Sequence, residues 1–432
     1  MLGQKCQPAV AILFPDCFDD WLIDLGVALE SFCDQMMGSW AFSYAQALNS
    51  TGVLAILFCI SIQVRVPTRC IHKPTGAIIY FLPPSKIYRF FRRRRPIDAT
   101  VSQPLRIADG LRITPWRFLR RLVATHVDTP LSLLFKELRN EGCKVLLVQE
   151  YETARFDLCV LFGKIKQVKV FGTFQGGQPL SALLRPLRRL AMWLCAGLLI
   201  PAAREANRVM STYGVPPQKL DHVYSPVDFS IFYPSPKEES RRSLGIPANT
   251  RVVMYHGAIN LSYKGLDVLL EAWNQLRNCR SNEDLRLFII GTGDDAARFF
   301  RLISDKQLGG IEWMNQWVHD RHLIRRYLSS ADVYVFPSRG DACPNAVIEA
   351  MACRLPIVAS EVNGIPDLLK DGKQACGLLV PSEDPRAVAK ALDDVLSDPT
   401  LARELGHQAF CRAKELFSME AVGKQLRSIL LN

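Results

Sequence analysis

No uninterrupted apolar run in this chain reaches the roughly 18 residues that a membrane-crossing helix requires. The opening segment, Met1 to Cys17, has too short an apolar stretch for a secretory leader and reads instead as a first strand. Cysteine is present 13 times, an odd number, yet never as Cys-x-x-Cys. Several cysteines, such as Cys59, Cys159 and Cys195, sit inside apolar stretches. That pattern argues against a disulfide-stapled framework and for reduced, buried thiols in a cytoplasmic compartment. Histidine is scarce, and His319 and His322 have no cysteine or acidic cluster beside them, so they read as a surface turn and no metal site is expected. Neither a Ser-His-Asp arrangement nor a phosphate-binding P-loop is present.

What is there is ample apolar material and an uneven positive charge. Hydrophobic residues make up 49% of 432, enough for two buried sheets in two domains. The net charge of +11 concentrates between Lys86 and Arg121, where Lys86, Arg89, Arg92, Arg93, Arg94, Arg95, Arg106, Arg112, Arg117, Arg120 and Arg121 face only Asp98 and Asp109. Tyr88, Phe90, Phe91, Trp116 and Phe118 are interleaved with them. Basic and aromatic residues mixed in this way suit an anionic membrane surface, with a solvated loop as the alternative. No nucleic-acid-binding fold accompanies the block, so no nucleic acid partner is expected. A second basic and apolar stretch, Leu184 to Ile200, reads as a core helix.

From about residue 251 the chain repeats strand, loop and helix. Arg251 to His256 is an apolar strand ending at Gly257, and Tyr263-Lys264-Gly265 opens the next helix. Leu285 to Ile290 runs into Gly291-Thr292-Gly293, a turn whose backbone could approach a phosphate or base. Ile311 to Val318 supplies another strand and Leu323 to Ser330 a short helix. Val333 to Phe336 is then a buried strand, and Ser338, Gly340 and Pro344 mark the loop before a helix at Asn345 to Cys353. Asp341 falls on that loop and Glu349, after seven intervening residues, on the helix. The order predicts a doubly wound α/β sheet, with both carboxylates at its ligand-binding end.

These residues resemble the signature of the GT-B glycosyltransferases of the large family 4 type, in which two acids at this spacing precede a small-residue helix and a second apolar strand. The resemblance implies two Rossmann-like domains facing a cleft and a nucleotide-sugar substrate, with no metal and no other cofactor. In its terms Glu349 binds the ribose hydroxyls, while Asp341 and the following Ala342, Cys343, Pro344 and Asn345 hold the transferred sugar. Lys264 clamps the donor diphosphate, near the backbone at Gly257, Gly291 and Gly293. In the first half, Gly38-Ser39 before the helix Trp40 to Leu48 is similar to the turn that meets the diphosphate from the other side. Glu150, Gln175 and Gly176 follow predicted strands and are expected on the acceptor and sugar side.

The implied organisation is an acceptor domain over residues 1–225, a linker over 226–250, a nucleotide-sugar domain over 251–406, and a terminal helix within 407–432 that packs back on the first domain. The implied activity is retaining transfer of a sugar to a glycan or lipid-linked acceptor. Its place is the cytoplasm, with Arg92, Arg93, Arg94 and Arg95 as a contact for the inner face of the membrane. Three departures bear on this. Ala258 stands where the family usually has arginine, Asp341 is shorter than the usual glutamate, and Arg354 replaces a glycine expected in a left-handed helix cap. Arg339 is the nearest substitute for the missing arginine. A catalytically inactive GT-B scaffold remains an alternative, as does another GT-B reaction such as nucleotide-sugar epimerisation or phosphorolysis.

Overall fold

The computed structural model describes residues 7–19, 22, 28–35, 40–93, 128–174, 185–371 and 374–432. These fall into two compact units: Met1–Ile200 with Ala206–Val223 and Gly423–Asn432, and Pro201–Glu205 with Tyr224–Val422.

The first unit is built on an eight-stranded sheet: β1 (Ala9–Cys17), β2 (Leu54–Ile60), β3 (Thr68–Ile71), β4 (Ile78–Leu82), β5 (Val145–Gln149), β6 (Lys169–Thr173), β7 (Gly197–Leu199) and β8 (Leu220–Asp221). Their order is β3-β4-β2-β1-β5-β6-β7-β8, with β3 antiparallel to β4 at one edge. Central strands are apolar throughout because helices cover both faces of a parallel sheet; Ala11, Ile12, Leu13, Ile56 and Leu147 are fully buried. The order reverses between β1 and β5, which makes the carboxyl ends of these strands the natural ligand edge. Arg155 holds that edge together from within: its Nη1 donates to the Phe14 carbonyl, Nε to Thr129 Oγ1 at 2.8 Å, and Nη2 to Asp128 at 2.6 Å.

One expectation changes here. Leu184 to Ile200 is not one helix; the described part is a helix at Arg185–Leu194 followed by β7. The apolar residues after Cys195 belong to the sheet, where Leu198 and Leu199 are fully buried and Gly197 lets the Phe171 ring come within 3.1 Å of where a Cβ would stand. The segment after the first strand carries further structure. The strand runs on to Cys17 through an irregularity, and a helix forms at Leu29–Gln35. Cys33 on that helix lies 3.0 Å, sulfur to sulfur, from Cys70 on β3, so these two thiols are half-buried neighbours rather than core residues. The helix Trp40–Ser50 is described, whereas Gly38 and Ser39 lie outside the described residues.

The second unit has a six-stranded parallel sheet: β9 (Arg251–His256), β10 (Leu285–Ile290), β11 (Ile311–Met314), β12 (Val333–Phe336), β13 (Ile357–Ser360) and, after a small hairpin of β14 (Lys370–Asp371) and β15 (Gln374–Ala375), β16 (Leu378–Val380). The order β11-β10-β9-β12-β13-β16 is that of a Rossmann sheet, reversing between β9 and β12. Val253 in β9 sits opposite both Leu287 and Val333. Val252, Val253, Met254 and Tyr255 are entirely buried, each apolar side chain contributing about 1.5–3 kcal/mol. β11 stops at Met314, short of the expected Val318. Helix starts are set locally: Asp320, Asp384 and Asp398 each accept two backbone N–H groups as N-caps, with Pro385 and Pro399 at the first helical position after the last two. Arg354 has φ +64°, the left-handed conformation expected for that position.

Candidate active site

The reversal between β9 and β12 fixes where the second unit can hold a ligand, because helices leave the sheet in opposite directions there and open a crevice beyond the strand ends. Three loops converge on that point. The first follows β9, through Gly257 to the short helix Leu261–Lys264, whose N-cap Asn260 accepts the Tyr263 N–H at 2.9 Å. The second follows β12, from Ser338 to Pro344, and the third follows β10. At this last turn Gly291 has φ +139°, and an added Cβ would come within 2.0 Å of the Gly257 carbonyl oxygen, so the two turns are packed backbone to backbone and only glycine fits.

Lys264 and Asp341 meet. Lys264 Nζ donates to Asp341 Oδ1 at 2.7 Å and to Oδ2 at 2.9 Å, and Ser338 Oγ donates to the same carboxylate. The ammonium also lies 5.3 Å from the centroid of the Phe336 ring. An ammonium carries three donors, so one is left for a ligand. The loop is tied down by Arg339 N–H to the Tyr263 carbonyl at 2.8 Å and by the Tyr263 hydroxyl to the Gly340 carbonyl.

Glu349 forms a second cluster on the helix Asn345–Ala352. His256 Nε2 lies 2.9 Å from Oε2, and Arg321 Nη2 donates to Oε1 at 2.9 Å. Burial alone would raise the Glu349 pKa; the hydrogen bond with His256 and the charge of Arg321 outweigh it and hold the carboxyl below its ordinary value. Glu349 is thus an anion, and two carboxylate oxygens retain lone pairs for further donors. His256 is 6% exposed and its Nδ1 is buried with no partner among the described residues. Arg321 is braced by stacking over the Phe232 ring, 4.8 Å from its centroid. His256 and Arg321 were not foreseen. The only signal in the sequence for His256 was its place as the last residue of β9, and Arg321 carried none.

The same helix begins at Asn345 after Pro344, with no side-chain cap and no acidic residue in its first turn. Its unpaired N–H groups favour an anion. Ala342 is buried, and the Cys343 thiol, pushed up to about 11 by burial, accepts the Ser225 N–H at 3.4 Å.

Arg339 does not take the place expected for it. Its guanidinium is gripped by Asp267, at 2.9 Å to each oxygen, by the Leu261 carbonyl at 2.6 Å, and by Glu383 at 3.3 Å. Two carboxylates and a carbonyl already satisfy the fork, so Arg339 pins the loop to the helix Leu266–Cys279 instead of offering charge to a diphosphate.

A family model described as "Glycosyl transferases group 1" matches residues 250–398, which hold all of this site except Ser225 and Phe232. The alpha-maltose-1-phosphate synthase of Mycolicibacterium smegmatis is 31% identical over 270 residues, covering 59% of this chain and 67% of that protein. The chain belongs to the group 1 glycosyl transferases. A D-inositol 3-phosphate glycosyltransferase of Thermobifida fusca is 29% identical over 208 residues, 47% of each chain, so the match spans about half the length of such relatives. The solved sucrose-phosphate synthase of Thermosynechococcus elongatus shares the GT-B fold over 98% of both chains, with a TM-score of 0.69 at 20% identity.

In this group 1 family member the strand order of the first unit also reverses, between β1 and β5. Glu150 follows β5 with φ +66°, a strained conformation for a side-chain-bearing residue. Gln149 before it is fully buried, and neither of its amide atoms has a partner among the described residues. Gln175 and Gly176 lie outside the described residues. Also among the described residues, no group of three or more His, Cys, Asp or Glu is placed to hold a metal ion, and no helix is long and apolar enough to cross a membrane.

Proposed function

We propose that this chain transfers a sugar from a nucleotide diphosphate sugar to an acceptor, with retention at the anomeric carbon. One observation carries the reading: Lys264 with Asp341, Glu349 with His256 and Arg321, and an uncapped helix N-terminus all converge at the strand-order reversal of one Rossmann sheet. In this reading Glu349 accepts the ribose hydroxyls while Lys264 and the amide N–H groups at Asn345 face the diphosphate. Asp341 and the backbone of Ala342, Cys343 and Pro344 then hold the sugar. As the bond from the anomeric carbon to the diphosphate breaks, negative charge grows on the departing oxygen, where Lys264 and the helix N-terminus are already placed. The acceptor oxygen bonds to that carbon on the same face, and its proton passes to the departing phosphate. The second unit, from residue 251, serves as the donor domain. The first takes the acceptor, with Glu150 and the unpaired Gln149 amide at its ligand edge.

The test is a thermal-shift screen with UDP-, GDP- and ADP-sugars, followed by assay of donor hydrolysis. One of them, at a hundred times its dissociation constant, is expected to stabilise the fold by about 2.7 kcal/mol. If no nucleotide sugar raises the melting temperature or is hydrolysed, the inactive-scaffold reading replaces this one.

The acceptor is placed at an anionic membrane surface through the basic block. The helix Lys86–Arg93 brings the start of that block into the first unit; Arg94 and Arg95 lie outside the described residues. Each basic residue near such a surface is worth about 1 kcal/mol. Changing Arg92, Arg93, Arg94 and Arg95 together to alanine is therefore expected to lower partitioning onto phosphatidylserine vesicles at least tenfold, with the difference shrinking as salt is added. Equal partitioning of variant and wild type would remove the membrane from the proposal.

A further inference from the structure

The first unit contains an open cavity of about 640 Å³, whose described lining includes none of the residues assigned above to sugar transfer. It lies where the chain leaves β4 at Pro83 and Pro84, against the start of the helix Leu131–Asn140. Among the described residues its charge is one-sided: Arg65, Lys86 and Arg89 line it and no described aspartate or glutamate does. The nearest acid along the chain, Asp128, is already held by Arg155 at 2.6 Å, in a pair buried on the arginine side. Arg89 donates one guanidinium nitrogen to the Val64 carbonyl, and its Nε is buried with no partner among the described residues. Arg65 and Lys86 form no ion pair among the described residues, and both are exposed.

The helix adds to this field. Leu131, Ser132 and Leu133, its first turn, line the cavity. Pro130 provides no side-chain cap, and the first turn holds no acidic residue, so the positive end of the dipole is uncompensated. Ile87, Leu131, Leu133 and Phe162 supply an apolar wall, with the hydroxyl-bearing Ser85 and Thr129 also in the lining. Ile87 is 55% exposed and leaves apolar surface at the mouth of the cavity.

Three cations and a helix N-terminus beside an apolar wall fit one ligand chemistry: a phosphate group carried on a hydrocarbon chain. We infer that this cavity is a binding site for a phosphate-bearing amphiphile. The phosphate sits among Arg65, Lys86, Arg89 and the amide N–H groups of Ser132 and Leu133, the Leu131 N–H being bonded to the Thr129 carbonyl at 3.0 Å, and the chain lies along Ile87, Leu133 and Phe162. This goes beyond the sugar-transfer reading, concerns the first unit by itself, and is tested without any donor present.

The experiment is calorimetric titration of the full chain with dodecyl phosphate below its micelle threshold, alongside inorganic phosphate and dodecyl maltoside. Dodecyl phosphate is expected to bind at least about tenfold more tightly than either of the others, since each supplies only half of the site. The double variant Arg65→Glu with Lys86→Glu should weaken it by a further factor of about ten or more, as expected when charge-assisted contacts are lost. Both residues are exposed, and unfolding curves of the variant verify that it folds; Arg65→Gln with Lys86→Gln provides a milder second variant. Equal binding of inorganic phosphate would overturn the amphiphile, as would equal binding of dodecyl maltoside. No binding of dodecyl phosphate, or binding unaltered in both variants, would overturn the site.

Discussion

Lys264→Ala is expected to reduce sugar transfer by about 10² to 10³ fold, the range seen when one preorganised group facing developing charge is removed. The ammonium sits between a carboxylate and an aromatic ring, with both partners of its ion pair largely buried: 17% of the lysine side chain and 13% of the aspartate is exposed. In that setting its charge is weakly screened. Removal leaves Asp341 with Ser338 as a hydrogen-bond donor, so the protein should remain folded while the departing diphosphate loses its cation. The measurement is single-turnover transfer with whichever donor the thermal-shift screen identifies. Turnover within threefold of wild type would show that Lys264 serves only to position the loop through Asp341.

Glu349→Gln should act on donor affinity before it acts on the chemical step. An amide keeps one acceptor but turns its NH₂ toward either His256 or Arg321, both of which donate in the native cluster, and the ribose hydroxyls lose an ionised partner. Hydrogen bonds to charged groups are worth about 1.5–3 kcal/mol, so the dissociation constant should rise roughly ten- to a hundredfold. Stability supplies an independent readout with a definite sign. The Glu349 pKa is depressed in the folded state by His256 and Arg321 against the opposing effect of burial. Its contribution is therefore present above the unfolded carboxyl pKa of about 4.3 and is lost as pH falls through the lower folded value. Wild type should be more stable than the variant at neutral pH, and the gap should close only in acid below the ordinary glutamate range. A gap that closes while pH is still above that range would assign the stabilisation to another group.

Much of the second unit was legible because its signals are local. A four-residue apolar strand, a proline and glycine loop and a small-residue helix each follow from residues within a few positions of one another, and Asp341 and Glu349 could be placed on them at once. The first unit read less well. At Leu184 to Ile200 the same apolar composition serves a helix and then a strand, and periodicity over so few residues does not separate them.

Side-chain partnership was the harder matter. Arg339 looked available for phosphate because the sequence showed its loop but not Asp267, 72 positions away, or Glu383 on another loop. His256 and Arg321 escaped notice for the same reason: 93 and 28 positions separate them from Glu349. The sequence by itself determined the α/β alternation, the left-handed turn at Arg354 and the identity of the two acids, since backbone preference and burial pattern are properties of short segments. Only the tertiary structure decided which cation each acid would hold, which arginine would be spent on structure, and where three cations would line one cavity. Those outcomes depend on distances between segments remote in the chain, and electrostatic pairing is set by distance and burial rather than by order in the sequence.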